Sequence, residues 1–323
     1  MAYTTIDKSS LHFNTKLYTG TGAENAVTGI NFQPDWTWIK SRNATYDHTL
    51  YDAVRGATKQ LYSNHTNGQY TEAQGLKSFD SDGFTNGTDA KGNNNGTTFV
   101  SWNWKANGSG SANSDGDITS TVSVNTTSGF SIVKYTGDGT TGQTVGHGLG
   151  SVPKLIINKQ LTTQNWFVYH HSIGNTKVLK LNTTGAETTS SAWNNTTPTS
   201  SVFTIGTSAS TNVSGENFIN YCFAEKQGFS KFGSYTGNGN ADGSFIYTGF
   251  SPAFVIIKQS SAAGESWKMY DNKRPGYNLV NNWLEPDDSQ AEGTGSNQID
   301  MVSNGFKARA TNTAMNASGS TYI

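Results

Sequence analysis

The chain has 323 residues, a net charge of −1, 33% hydrophobic and 14% charged residues, and one cysteine. Near-neutral charge with scattered basic residues gives no field to attract nucleic acid or anionic lipid, and one cysteine excludes an internal disulfide. No run approaches the roughly 20 apolar residues of a membrane-spanning helix, so the reading is no nucleic acid and no membrane insertion.

In chain order, residues 1–10 form a polar lead-in. Its opening Met1-Ala-Tyr-Thr-Thr-Ile-Asp-Lys8 lacks the apolar core of a signal peptide, which predicts synthesis in a cytoplasm without cleavage. A first unit then spans 11–107. Its opening strand is read around Phe13–Tyr18, followed by a glycine-rich turn and a strand at Trp36–Lys40. Alternation places Trp36 and Trp38 on one face and Thr37 and Ile39 on the other, with the tryptophans expected in the core. Further strands are expected at His48–Ala53 and Thr58–Ser63, and a hairpin at Phe79–Phe84 turns on Asp82-Gly83. Phe99–Trp104 closes the unit, with Trp102 and Trp104 facing one way.

Residues 108–127 have the Gly/Ser-rich composition of a flexible linker and end in a weakly alternating edge strand. The second unit, 128–226, carries expected strands near Lys154–Lys159, Asn165–His170, Lys177–Asn182, Ser201–Ile205 and Asn217–Ala224. The third, 227–323, repeats them near Ala253–Lys258, Ser266–Tyr270, Ile299–Val302 and Phe306–Ala310. No linker separates the second and third units, so their mutual orientation is expected to be the more rigid.

Internal repetition justifies the three units. Tyr18-Thr-Gly-Thr-Gly22 recurs as Tyr135-Thr-Gly-Asp-Gly139 and Tyr235-Thr-Gly-Asn-Gly239. Downstream of each, a proline precedes a lysine by six residues: Pro34/Lys40, Pro153/Lys159 and Pro252/Lys258. The tryptophan pair Trp36/Trp38 is answered by Leu155/Ile157 and Phe254/Ile256, and Trp102/Trp104 by Tyr221/Phe223. Side chains exchanged for volume suit core packing better than sugar-stacking platforms. Tyr322-Ile323 starts the closing string a third time, and the repeat predicts further strand residues there, so the last unit is expected to be cut short. With almost no helical periodicity, the fold class is all-β: three tandem antiparallel β-sandwich units, jelly-roll or immunoglobulin-like in outline.

Candidate chemistry is sparse. Asp80-Ser-Asp82-Gly83 and Asp115-Gly-Asp117 look like calcium-loop fragments but lack the distal acid, so turns are expected. His170-His171 would point to opposite faces of a strand, and the alignment of Tyr169-His170 with Tyr51-Asp52 and Tyr270-Asp271 predicts a surface histidine beside a core tyrosine. Glu285, Asp287 and Asp288 cluster as a glycoside-hydrolase pair would, though a solvated loop is the expectation. Cys222, between Tyr221 and Phe223, reads as a buried thiol. No catalytic residue, cofactor or metal is assigned.

The strings Gly146-His-Gly-Leu-Gly-Ser-Val-Pro-Lys-Leu-Ile-Ile157, Tyr221-Cys-Phe-Ala-Glu225 with Gly228-Phe-Ser-Lys-Phe-Gly-Ser-Tyr-Thr-Gly-Asn-Gly239, and Ser303-Asn-Gly-Phe-Lys307 resemble an uncharacterised β-rich repeat family of virion structural proteins in marine tailed bacteriophages. That resemblance implies a place on a phage particle and no catalytic residue. The expectation is a non-enzymatic tail fibre or tail-associated adhesion protein, built as a homo-oligomer, with trimers the usual fibre solution. Its partners would be other virion proteins and a host surface glycan or protein. The alternatives are a capsid decoration protein and, behind it, a glycan-binding or glycan-degrading module. Loops that differ between copies, Thr66–Lys77, Thr184–Pro198 and Arg274–Glu292, are the expected contact surfaces, with Trp193, Tyr277 and Trp283 their candidate anchors.

Overall fold

A computed structural model describes residues 3–323. The protein is all-β, with antiparallel sheets throughout and two four-residue helices, Ala90–Asn93 and Thr313–Asn316. In the first unit a six-stranded sheet runs in the order Phe13–Thr19, Thr98–Trp104, Trp36–Ser41, Thr49–Asp52, Lys59–Tyr62, Tyr70–Thr71. A three-stranded sheet of Asn25–Thr28, Gly83–Asn86 and Leu76–Asp80 covers one of its faces. The second unit repeats this order in Phe130–Thr136, Asn217–Ala224, Pro153–Gln160, Phe167–His170 and Lys177–Lys180. In the third, Tyr235–Thr236 pairs with Thr321–Tyr322, and Phe254–Ile257 pairs with Lys268–Asp271.

The repeated Tyr-x-Gly-x-Gly string is a latch around a buried asparagine. Backbone N–H groups of Thr21, Asp138 and Asn238 donate to the side-chain oxygens of Asn93, Asn212 and Asn316 at 2.9, 3.1 and 3.0 Å. The tyrosine hydroxyls of Tyr18, Tyr135 and Tyr235 donate to the carbonyls of Gly92, Thr211 and Met315, one residue before each asparagine. A Cβ on Gly20, Gly137 or Gly237 would sit 2.2, 2.6 or 2.3 Å from a backbone oxygen, so only glycine fits there. Each asparagine lies six residues before the first core aromatic of its closing strand, Phe99, Phe218 or Tyr322.

The tryptophans are buried, but not inside their own sandwich. Between the two sheets of the first unit lie Ile39, Tyr51 and Phe99 against Val27, Leu76 and Phe84. Trp36, Trp38, Trp102 and Trp104 project from the opposite face into a cluster shared with Phe130, Ile132, Ile157, Val168 and Tyr221 of the second unit and Trp267, Met269 and Leu284 of the third. Trp36 stacks on Tyr221 with ring centroids 4.1 Å apart, closer than its 4.3 Å to Trp104 in its own sheet. The strand Trp36–Ser41 is consequently buried at every residue. Alternation identifies which residues share a face, yet a sheet covered on both sides has two cores. The tryptophans are core residues, as expected, and the core they fill is one that joins the units.

Three expectations change. In residues 108–127 the expected strand is present as Ser120–Asn125, but the part before it is not a loose tether, because Ser111–Asn113 pairs with that strand and Asp35 accepts from the Ala106 and Gly108 N–H groups at its start. His170 is buried, 4% exposed, and not on the surface. Leu155, Phe223, Phe254 and Ile256 are only partly buried, unlike the fully buried Trp36, Trp38, Trp102 and Tyr221.

Candidate functional site

The buried polar groups collect at the seams between units, where they form a cyclic set. Each repeated lysine places its ammonium on a backbone carbonyl of a neighbouring unit: Lys40 on Ser289 (3.1 Å), Lys159 on Thr66 (3.1 Å), Lys258 on Thr184 (3.2 Å). Main-chain bonds follow the same cycle, from Gln69 N–H to Leu161 O (2.8 Å), Glu187 to Ser260 (2.9 Å) and Glu292 to Arg42 (2.7 Å). Trp166 and Trp267 indoles donate to Tyr62 O and Lys180 O across two of the seams, at 2.8 and 3.1 Å. At the matching place in the first unit stands His48, whose Nδ1 accepts from Trp38 Nε1 at 2.8 Å. All three ammonium groups are held by carbonyl dipoles in a desolvated site. Burial pulls Lys159 down to about 7, and Lys40 and Lys258 to about 8.

A second buried set sits on the shared core. Asp52 pairs with Arg55, and Arg55 donates to the Lys59 and Leu50 carbonyls. Asp271 pairs with Arg274 at 2.7 Å, and Arg274 likewise reaches Met269 O. Each aspartate takes one more donor from the next unit: Tyr221 OH on Asp52 at 2.8 Å, Trp102 Nε1 on Asp271 at 3.0 Å. Glu292 then bridges Arg42 and Arg274, both at 3.0 Å, and their charges hold it below the usual carboxylate range although burial alone would raise it. The second unit departs from the pattern. His170 replaces the aspartate, its Nδ1 accepts from Ser172 N–H at 3.2 Å, and burial pulls it down to about 3.

Beside Ile323 and the strand Phe254–Ile257 lies an apolar groove of about 630 Å³. Its walls include Trp104, Leu155, His170, Phe223, Phe254 and Ile256.

The anchors expected from loop divergence are scattered. Tyr277 is 81% exposed, Trp283 is half-buried with the Lys268 ammonium 5.6 Å above its ring, and Trp193 is 1% exposed, packed on Tyr169. Trp193 is therefore no contact anchor. All three divergent loops also clamp a neighbouring unit, through Thr66, Thr184 and Ser289.

The acid cluster is likewise engaged: Glu285 pairs with Lys268, Asp287 accepts from Trp267 N–H at 3.1 Å, and Asp288 from Gln290 N–H at 3.2 Å. Burial pushes Asp287 up to about 6. Asp82 caps the turn at Gly29 and Asn31, and Asp117 caps Thr144. Cys222 is buried. Among the described residues no group of three or more His, Cys, Asp or Glu converges on one point, and no helix is long and apolar enough to cross a membrane.

Sequence reasoning misses the seam lysines as functional parts of the architecture, although their fixed distance from the proline is visible. It also misses the latch asparagines, whose constant six-residue spacing is the available signal.

No curated protein matches the chain. No solved structure matches it either. One family profile spans residues 8–323, nearly the whole chain and all three units, and by it the protein belongs to the domain-of-unknown-function family DUF7483.

Proposed function

We propose that this protein is a non-enzymatic structural component of a tailed-phage particle, a tail-fibre or tail-associated adhesion protein. The observation that carries the reading is the use made of its buried charged groups: Lys40, Lys159, Lys258 and the Asp52–Arg55 and Asp271–Arg274 pairs are spent on joining three copies of one fold. Such an interior gives a rigid three-lobed body, and the weakly charged Gly/Ser/Thr/Asn surface suits display outside a cell. One chain already supplies three similar lobes around a common core, which would match a trimeric fibre or a three-fold position on a particle. Tyr277, at 81% exposure, is the aromatic best placed to touch a host surface or a neighbouring virion protein.

Immunogold labelling of purified particles with antibody to this protein tests the reading. Label on the tail or its fibres is expected. Label on the head alone would favour the capsid-decoration alternative, and unlabelled particles would refute the virion reading. Shortening of a host polysaccharide by the purified protein would refute the non-enzymatic reading.

A further inference from the structure

The three seams repeat one device, and the first seam lacks a part of it. Gln69, Glu187 and Glu292 hold equivalent places, since each donates its N–H to the residue two positions after a repeated lysine: Leu161, Ser260 and Arg42. In two seams this residue is a glutamate, and its carboxylate takes up the cations beside it. Glu187 pairs with Lys177, and Glu292 bridges Arg42 and Arg274, both at 3.0 Å. In the first seam the place holds a glutamine, which carries no charge. Gln69 Oε1 lies 3.5 Å from Arg55 Nη1, where Glu292 comes within 3.0 Å of Arg274 Nη1.

The cations of the first seam are present all the same. Lys59 opens the strand Lys59–Tyr62 as Lys177 opens Lys177–Lys180, and its ammonium donates to the Thr71 hydroxyl at 2.7 Å. Lys134 stands one residue before the repeated tyrosine, where the other units have Leu17 and Ser234, so this seam holds a cation that the others lack. Among the described residues neither lysine has a carboxylate oxygen within 4.0 Å of its ammonium. Both line a pocket of about 340 Å³ whose wall also includes Arg55, Gln69, Thr162 and Glu216. Arg55 is neutralised by Asp52, and Glu216 offsets one lysine, which leaves a single positive charge uncompensated.

We propose that this pocket binds the carboxylate of an acidic sugar, seated where the other two seams carry a glutamate side chain.

Charge decides the first half of that assignment. One excess positive charge is balanced by one carboxylate, and both ammonium groups belong to half-buried side chains, where an ionic hydrogen bond is stronger than on an open surface. Space and hydrogen bonding decide the second half. A carboxylate alone fills a small part of the pocket, and the remaining wall offers the Gln69 amide, the Thr162 hydroxyl and the Glu216 carboxylate, whose Oε2 accepts from Thr162 Oγ1 at 3.1 Å. A few polar groups converging around a charged anchor are what fixes a small ligand in a pocket, and amide, hydroxyl and carboxylate groups match the hydroxyls of a sugar ring. The sugar half rests on the adhesion reading above, whereas the carboxylate half rests on the comparison of the three seams.

The test is an NMR titration of the 323-residue chain at low salt with glucuronate, glucose, acetate and inorganic phosphate. Glucuronate is expected to bind at least tenfold tighter than each of the other three. Gln69→Glu gives the first seam the carboxylate of the other two, and it should melt higher than the parent chain and bind glucuronate at least tenfold more weakly. Lys134→Gln, which removes a lysine without a carboxylate partner, should weaken binding as much while leaving the melting temperature unchanged. No glucuronate binding, equal binding of glucose, acetate or phosphate, or undiminished binding by both variants would overturn the proposal. The two readings fail separately: labelled tails with no glucuronate binding refute this site alone, and glucuronate binding with unlabelled particles refutes the virion placement alone.

Discussion

Replacing Tyr221 by phenylalanine removes one oxygen from the most buried junction between the first two units. The ring has no exposed surface, and its stacking on Trp36 at 4.1 Å is unaffected, so no cavity forms. What is lost is the 2.8 Å bond to Asp52 and a longer contact with the Arg55 guanidinium at 3.4 Å. A hydrogen bond to a charged group is worth about 1.5–3 kcal/mol. The resulting change in melting temperature depends on how much of the chain melts together. At about 2.1 cal/mol/K per residue, a unit comprising the whole chain has an unfolding entropy of ~0.7 kcal/mol/K, and Tyr221→Phe lowers its Tm by about 2–4 °C. A lone unit of about 100 residues has ~0.2 kcal/mol/K and would shift by roughly 7–14 °C, in a transition holding about a third of the heat. Scanning calorimetry of both proteins reads the difference. A large shift confined to one partial transition would refute the shared core.

Lys159, held near 7 when folded against about 10.4 when unfolded, binds fewer protons in the folded chain across that interval, so stability should rise with pH from about 7 to 9.5; Lys159→Met should flatten the rise in urea midpoints measured over that range. His170, held near 3 by burial and then by His171, gives stability that is present above about 6.5 and lost as pH falls toward 3, and His170→Phe should lessen that acid loss in the same assay. Trp193→Ala should cost about 3–5 kcal/mol of unfolding free energy, as a core deletion does, while Tyr277→Ala should stay within about 0.5 kcal/mol.

The all-β class is legible because its signals are local. Alternation in Trp36–Lys40, the Asp82-Gly83 turn and the thrice-repeated Tyr-x-Gly-x-Gly string each depend on a few neighbouring residues. Thr37 and Ile39 do lie opposite Trp36 and Trp38, as alternation requires. Which face meets which partner is not legible, because that depends on contacts between residues such as Trp36 and Tyr221, 185 positions apart. The lysines mislead for a related reason. A lysine in a strand ordinarily signals solvent, and burial of Lys159 is tolerable because three carbonyls converge on its ammonium, those of Thr162 and Gln164 from its own loop and that of Thr66 from another unit. Loop divergence reads as outward contact, whereas Thr66, Thr184 and Ser289 show that these loops also make contacts within the chain.

The central claim is that three copies of one fold share a single aromatic core and stand or fall together. The most direct test is the ratio of calorimetric to van't Hoff unfolding enthalpy for the intact chain. A single transition with a ratio near one is the predicted result, and a ratio near three, or three resolved transitions, would contradict it.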